Sequence, residues 1–384
     1  MMGETSVFDI AIIGAGSVGM AAGAYATKEK AKTLLIDAYD PPHMKGSHHG
    51  DTRMIRQAYG EGRDYVRLAK RAQFLWEQLA EESGETILEK VGVVGVGPAH
   101  SAFVRESIAS AKENDLHVEV LTGEEINKRW KGFTVPDDYI GYYEPDTGFL
   151  YSEKAIEAYK KIAIHHGATY IPNTKVEKFY PNKEDLIYIE TGTETYIAKK
   201  VIVTAGAYAK QLLQHIDLPI VPTRKCFAFF EAAEGTYSKE HFPCFYIEDE
   251  TETFGAYGFP NVNGTGLKIG RDDGGVAIAP EKLTQDFGTY PSDEADLRYF
   301  LERYIQGANN TLKEGKTCLY TNSADEHFII DVDPQCEHIF YACGFSGHGF
   351  KFASSIGEAL VKSALEGKLH TTLEMFQLER FTAR

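Results

Sequence analysis

The sequence predicts an α/β protein of two interleaved domains, one on a parallel sheet and one on a largely antiparallel sheet. Three observations carry this. A branched-apolar strand runs straight into a glycine loop and a small-residue helix. Two further buried strands of that character return far downstream. The stretches between them are rich in strand formers punctuated by glycine and proline. The 384 residues suffice for about two or three domains and a sizeable core without disulfide or metal staples.

Residues 8–13 form a nearly continuous run of branched apolar side chains, as in a strand buried on both faces. Gly14-Ala15-Gly16-Ser17-Val18-Gly19 follows at once, residues 20–28 read as a helix, and a second strand over 33–36 ends at Asp37. Gly14 permits the tight turn, Gly16 lets main-chain N–H groups approach a pyrophosphate, and Gly19 lets helix and strand pack closely. Asp37, 23 residues after Gly14, is placed to accept from an adenosine ribose hydroxyl. This is the pattern of a Rossmann-like dinucleotide site; a glycine turn without a ligand is the plainer alternative. The pattern does not separate NAD from FAD, although Asp37 would repel the 2′-phosphate of NADP.

Strand-and-turn segments recur at 200–207 and at 338–344, the latter followed by Gly347-His348-Gly349 and a helical pattern from Lys351. A plain NAD domain would continue its alternation directly after Asp37. The nucleotide domain is therefore expected to be assembled from three separated segments, with a second domain inserted. Residues 91–96, 225–231 and 254–269 read as strands of that inserted sheet, and 65–79 as an amphipathic core helix. The expected division gives 1–84, 150–212 and 319–384 to the nucleotide domain, and 85–149 and 213–318 to an α+β substrate domain.

With 56 acidic against 40 basic residues, the net charge is −16, which argues against nucleic acid and anionic membranes as partners. No transmembrane run and no signal peptide is expected. Five widely spaced cysteines without a Cys-x-x-Cys pair argue against disulfides and zinc, and for a cytoplasmic location. No coiled-coil pattern points to a partner, and a monomer is expected.

Gly46-Ser47-His48-His49-Gly50-Asp51-Thr52-Arg53-Met54-Ile55-Arg56 is dense in polar side chains and follows the nucleotide motif, where open α/β sheets bind ligands. Arg53 and Arg56, three apart, face the same way if the segment makes a helical turn. Two guanidinium groups in an acidic chain point to an anion site, against the alternative of a solvated surface turn. His48 and His49 are adjacent, point apart, and have no spaced partner for a metal.

Together with Tyr59-Gly60-Glu61-Gly62, Tyr257-Gly258-Phe259-Pro260, Leu267-Lys268-Ile269-Gly270, Cys318-Leu319-Tyr320 and Gly344-Phe345-Ser346-Gly347-His348-Gly349-Phe350-Lys351-Phe352, these motifs resemble the monomeric sarcosine oxidase and N-methyl-L-tryptophan oxidase family from end to end. The resemblance implies a Rossmann-like FAD-binding domain, FAD held covalently through Cys318, and oxidation of the N-methyl group of a small amino acid by molecular oxygen. Residue by residue, it implies that Lys268 stands where oxygen reacts. Arg53, His49 and Thr52 would line the flavin ring, with Ser17, Ser47 and Val176 also on the cofactor. Arg56 and Lys351 would clamp the substrate carboxylate, Tyr257 and Tyr320 would line its pocket, and the Gly344–Gly349 loop with His348 and the helix after it, with Phe350 and Lys351 also on the cofactor, would meet the flavin pyrimidine edge. On the residues alone, Cys318 reads equally as a core cysteine and Lys268 as an exposed strand lysine.

The implied reaction yields the primary amino acid, formaldehyde and hydrogen peroxide. Arg271-Asp272 and Tyr246 depart from the family pattern, and Asp272 would repel a substrate carboxylate unless Arg271 pairs with it. Sarcosine, N-methyl-L-tryptophan and another secondary or cyclic amino acid all stay open as substrates. An NAD dehydrogenase, a flavin dehydrogenase with another acceptor, and a non-enzymatic flavoprotein are the competing readings.

Overall fold

The computed structural model describes residues 6–251, 255–283 and 286–381. The outermost ends of the expected nucleotide domain (1–5 and 382–384) and Phe254, with which one expected strand begins, lie outside the described residues. The first strand, Val7–Ile13, is flanked in parallel by Thr33–Ile36 and Thr195–Val203. It occupies the middle of an eight-stranded sheet that Thr169–Ile171 continues on one side. On the other side, Thr195–Val203 pairs twice along one edge: its first half antiparallel with Ile187–Thr191, its last residues parallel with Cys336–Cys343. Strands separated by more than a hundred residues thus lie side by side.

Helix Ser17–Lys28 packs on this sheet through small residues, with Ala353–Glu366 and Ser152–His165 against it. The close approach is visible at Gly357, where a Cβ would fall 2.8 Å from the Ala22 nitrogen. The helix expected over 65–79 runs from Tyr65 to Ser83 and ends at Gly84 in the left-handed conformation. Its buried face, including Leu68, Ala72, Trp76 and Leu79, joins the same core.

The second sheet has nine strands and a predominantly antiparallel path; its exception is the parallel pair Cys244–Glu248 with Val93–Gly97. Its longest strands, Ile220–Phe230 and Leu312–Ser323, pair along nearly their whole length. Leu312–Ser323 runs without a break through position 319. A small third sheet joins Thr52–Ile55, Gly148–Tyr151 and Leu88–Glu89. Among the described residues, no helix is long and apolar enough to cross a membrane.

Candidate active site

The nucleotide end is built by the first strand–helix unit. Gly14 has a φ of +94°, and a Cβ there would come within 2.6 Å of the Thr204 carbonyl oxygen. A Cβ on Gly19 would lie 1.9 Å from the Gly14 oxygen, so helix and strand touch backbone to backbone. At Gly16 a Cβ would meet only His48 Nδ1, at 3.7 Å, which leaves that side of the turn open. The helix begins there with no side-chain cap, so its first N–H groups are available to a phosphate. Asp37 accepts from Ala15 N at 2.7 Å and from Tyr39 N at 2.9 Å, and each carboxylate oxygen keeps a further lone pair.

A cavity of about 640 Å³ leads away from this turn. Gly14, Gly16, Ser17 and Asp37 line one part; Ser47, His48, Arg53 and Val176 line another; Tyr320, Gly347, Gly349 and Phe350 complete it. The size, the open uncapped helix start and the acid at the second strand's end fit FAD. Gly19, Thr52, Cys318, Gly344, His348 and Lys351, also expected on the cofactor, do not line this cavity. Gly344 and Gly347 have φ of +63° and +83°, and a Cβ on Gly347 would strike the Tyr320 ring at 2.1 Å.

Lys268 is buried and not the exposed strand lysine of the alternative reading. Its Nζ donates to Gly50 O at 2.6 Å and Thr52 O at 3.0 Å, and lies 4.6 and 4.7 Å from the Phe227 and Phe259 rings. Burial, with Arg53 next, holds this ammonium well below the ordinary lysine range. Arg53 donates to Thr52 O at 2.8 Å, to Ser47 O at 3.0 Å and to His49 O, so it ties the polar loop together. Burial and Arg53 push His49 down to about 4, which leaves it neutral, and its buried Nε2 has no partner among the described residues. Cys318 is buried against Phe227, Phe229 and Tyr320; burial raises its thiol, while Arg53, Lys268 and Lys225 pull it down.

Arg56 and Lys351 meet at Tyr59. The Arg56 guanidinium lies 4.4 Å from that ring and Lys351 Nζ 5.3 Å from it, and Lys351 donates to His348 O at 2.9 Å. Arg56 also donates to Glu61 at 2.6 Å. Burial lowers Lys351 to about 7, with Arg56 acting in the same direction. His348 Nε2 faces the Glu326 carbonyl at 3.0 Å and must donate; its Nδ1 therefore accepts from Tyr59 OH at 2.6 Å. Tyr257 lies over Gly270, where a Cβ would fall 2.5 Å from its ring.

One expectation is corrected. Arg53 and Arg56 do not share a helical face, because Thr52–Ile55 is a strand paired with Gly148–Tyr151, and its period is two residues. Arg53 turns to the polar loop and Arg56 to Glu61. The condition left open for Asp272 is decided as well: Arg271 pairs with Asp273 and Asp296 and not with Asp272.

Three contributors were missed. Glu61, inside a quoted motif, holds Arg56. Glu144, buried, accepts from Gln57 N at 2.8 Å and Ala58 N at 3.1 Å beneath the Arg56 turn. Lys225, whose Nζ donates to the carbonyls of Asp272, Asp273 and Gly274, was signalled by a lysine next to Arg224 in a strand that runs on into Cys226-Phe227-Ala228-Phe229-Phe230.

Comparison with known proteins agrees with this geometry. Residues 9–363 match the family described as DAO, FAD dependent oxidoreductase. The chain is 48% identical over 377 residues to monomeric sarcosine oxidase of Bacillus sp. (strain B-0618), covering 97% of this chain and 96% of that one. It is 43% identical to N-methyl-L-tryptophan oxidase of Salmonella arizonae, covering 98% and 99%. Solved structures sharing the fold include NikD, an unusual amino acid oxidase essential for nikkomycin biosynthesis, at TM-score 0.85 and 20% identity, covering 97% of this chain and 98% of that one. L-proline dehydrogenase from P. horikoshii shares it at TM-score 0.84 and 21% identity, covering 98% of both. A nucleotide cavity beside a buried lysine and a two-cation corner, matched end to end at this identity, places the chain in the monomeric sarcosine oxidase and N-methyl-L-tryptophan oxidase family of FAD-dependent oxidoreductases.

Proposed function

We propose that the protein is an FAD-dependent oxidase that demethylates a small, sarcosine-like N-methyl amino acid to the primary amino acid, formaldehyde and hydrogen peroxide. The observation that carries this reading is the meeting of Arg56 and Lys351 on the Tyr59 ring, beside the glycine loop of the cofactor cavity. Two cations clamp one carboxylate and leave the N-methyl carbon to be aimed. They also favour the neutral amine, whose lone pair is needed to form the C=N bond. When bound, the flavin supplies the two-electron acceptor and returns those electrons to oxygen.

Lys268 holds its ammonium in a fixed, buried place, anchored by the Gly50 and Thr52 carbonyls, where charge develops on reacting oxygen. Arg53, Thr52 and neutral His49 form the polar edge along the ring, Tyr257 and Tyr320 wall the substrate pocket, and Cys318 is the covalent anchor. The 48% identity to a sarcosine oxidase supports this assignment. We further assign the eight-stranded sheet to an FAD-binding domain and the nine-stranded sheet to a substrate domain, in a monomeric cytoplasmic enzyme. The test is anaerobic titration of the purified protein with sarcosine and related N-methyl amino acids. Bleaching of the flavin band supports the proposal; a protein that takes up no FAD, or one that none of these amines bleaches, refutes it.

A further inference from the structure

Strand Leu267–Arg271 runs antiparallel to Gly255–Phe259, and its pleat sends Lys268, Gly270 and Asp272 to one face. Lys268 occupies the cofactor end, the Tyr257 ring covers Gly270, and Asp272 comes next in the file. The position of Asp272 is built. Its N–H donates to Gly255 O at 2.8 Å, and buried Lys225 clamps the carbonyls of the turn from beneath. Tyr246 leans over the same turn, since a Cβ on Gly255 would fall 2.4 Å from its hydroxyl, and packs on Phe103 at 4.5 Å. What this framework presents is the Asp272 side chain. It is accessible, receives no hydrogen bond from any described residue, and lies within electrostatic reach of Lys225 first and then of Glu61, Arg56 and Lys351, with Tyr246 and Tyr257 beside it.

A free carboxylate here works against the simplest substrate. It repels the carboxylate that Arg56 and Lys351 hold, and it favours the protonated form of the reacting amine. Both penalties disappear if the substrate brings its own positive charge to Asp272, away from the reacting nitrogen. The Tyr246 and Tyr257 rings beside it suit a cation. We propose that Asp272 anchors a positively charged side chain, and that the preferred substrates are N-methyl amino acids carrying a second, basic group. This deepens the demethylase reading and rests on it.

The test follows anaerobic flavin reduction of the holoenzyme by Nα-methyl-L-lysine, Nα-methyl-L-norleucine and Nα-methyl-L-glutamate. Reduction efficiency is expected to fall in that order, with about tenfold or more between the first two, as one charge-assisted contact provides. In Asp272→Asn that gap narrows to about threefold or less, and Asp272→Lys reverses the order toward the acidic substrate. Similar efficiencies for all three in the wild type overturn the proposal, as does an Asn variant that keeps the full gap. If neither variant holds FAD, the wild-type order decides alone. Reduction by sarcosine without any charge preference sinks only the Asp272 assignment. Failure of every N-methyl amino acid, sarcosine included, sinks the demethylase reading beneath it.

Discussion

Raising the pH from about 6 to about 9 should strip the charge from Lys351 while Arg56 keeps its own, and carboxylate affinity should fall accordingly. Burial holds the Lys351 ammonium down to about 7, Arg56 acts the same way, and Glu61 and Asp272 oppose them. A carboxylate that needs both cations therefore binds a shrinking fraction of the protein. The dissociation constant should rise about tenfold between pH 6 and 8 and approach a hundredfold by pH 9, until Arg56 alone sets the floor. Acetate is the suitable probe, because it carries no amine and stays ionised throughout, and its binding is read from the visible flavin band of oxidised holoenzyme. Arg56 pulls Glu61 down to about 2, so it stays ionised across this range. The surrounding pocket walls partly desolvate the accessible Asp272 carboxyl and raise it, and its ionisation would weaken acetate in the same direction. Lys351→Gln separates the two: it should bind acetate weakly at every pH, with the slope gone. A wild-type constant that moves less than about twofold from pH 6 to 9, or a Gln variant that keeps the slope, refutes the reasoning.

Three further outcomes are expected. Lys268→Met should slow flavin reoxidation by oxygen about a hundredfold or more while anaerobic reduction changes far less; stopped-flow traces of the two half-reactions check this, and equal losses would remove the oxygen role. Cys318→Ser should release FAD into the supernatant on acid precipitation, whereas the wild type keeps its yellow colour in the pellet. Glu144, buried, has its carboxyl raised to about 7 by desolvation, so the fold binds that proton more tightly than the unfolded chain does. Its contribution is fully present below about pH 4.5 and is lost as the pH rises through about 7, a loss of about 3 kcal/mol that Glu144→Gln should abolish. Parallel melting profiles of the two proteins between pH 5 and 8 would contradict this.

The parts of the fold that were legible are those written in short-range pattern. The strand–glycine loop–helix–strand–acid unit is contained within residues 7–37, and the recurrence of strands at 200–207 and 338–344 announced the segmented sheet. The Arg53–Arg56 segment was misjudged because its conformation is decided by Gly148–Tyr151, almost a hundred residues away, and nothing in the local pattern names that partner. Lys268 and Lys351 were reached through motif resemblance, since a lone lysine carries no sign of its burial, whereas Arg56 was already marked by its place in the polar loop. Glu61 and Lys225 were passed over for a related reason: each acts by holding another residue, a relation that only folding creates. Asp272 stood out from the sequence as a departure, but whether Arg271 pairs with it stayed open there, because the pleat that turns Arg271 toward Asp296 and away from its neighbour is a property of the sheet.

The cofactor cavity takes its walls from both large sheets: Gly14 and Asp37 from the first, Leu319, Tyr320 and Thr321 from the second. Neither half by itself encloses the space. FAD seated there would act as a fastener that docks one sheet against the other, and in Cys318→Ser, where the cofactor exchanges freely, FAD at about a hundred times its dissociation constant would add about 2.7 kcal/mol to that docking. Partial unfolding of either sheet opens the cavity and forfeits this term, which couples the melting of the two halves. Release of flavin fluorescence on heating should then coincide with loss of both sheets in a protein whose cofactor is not tethered, so the cofactor itself reports the integrity of the assembly.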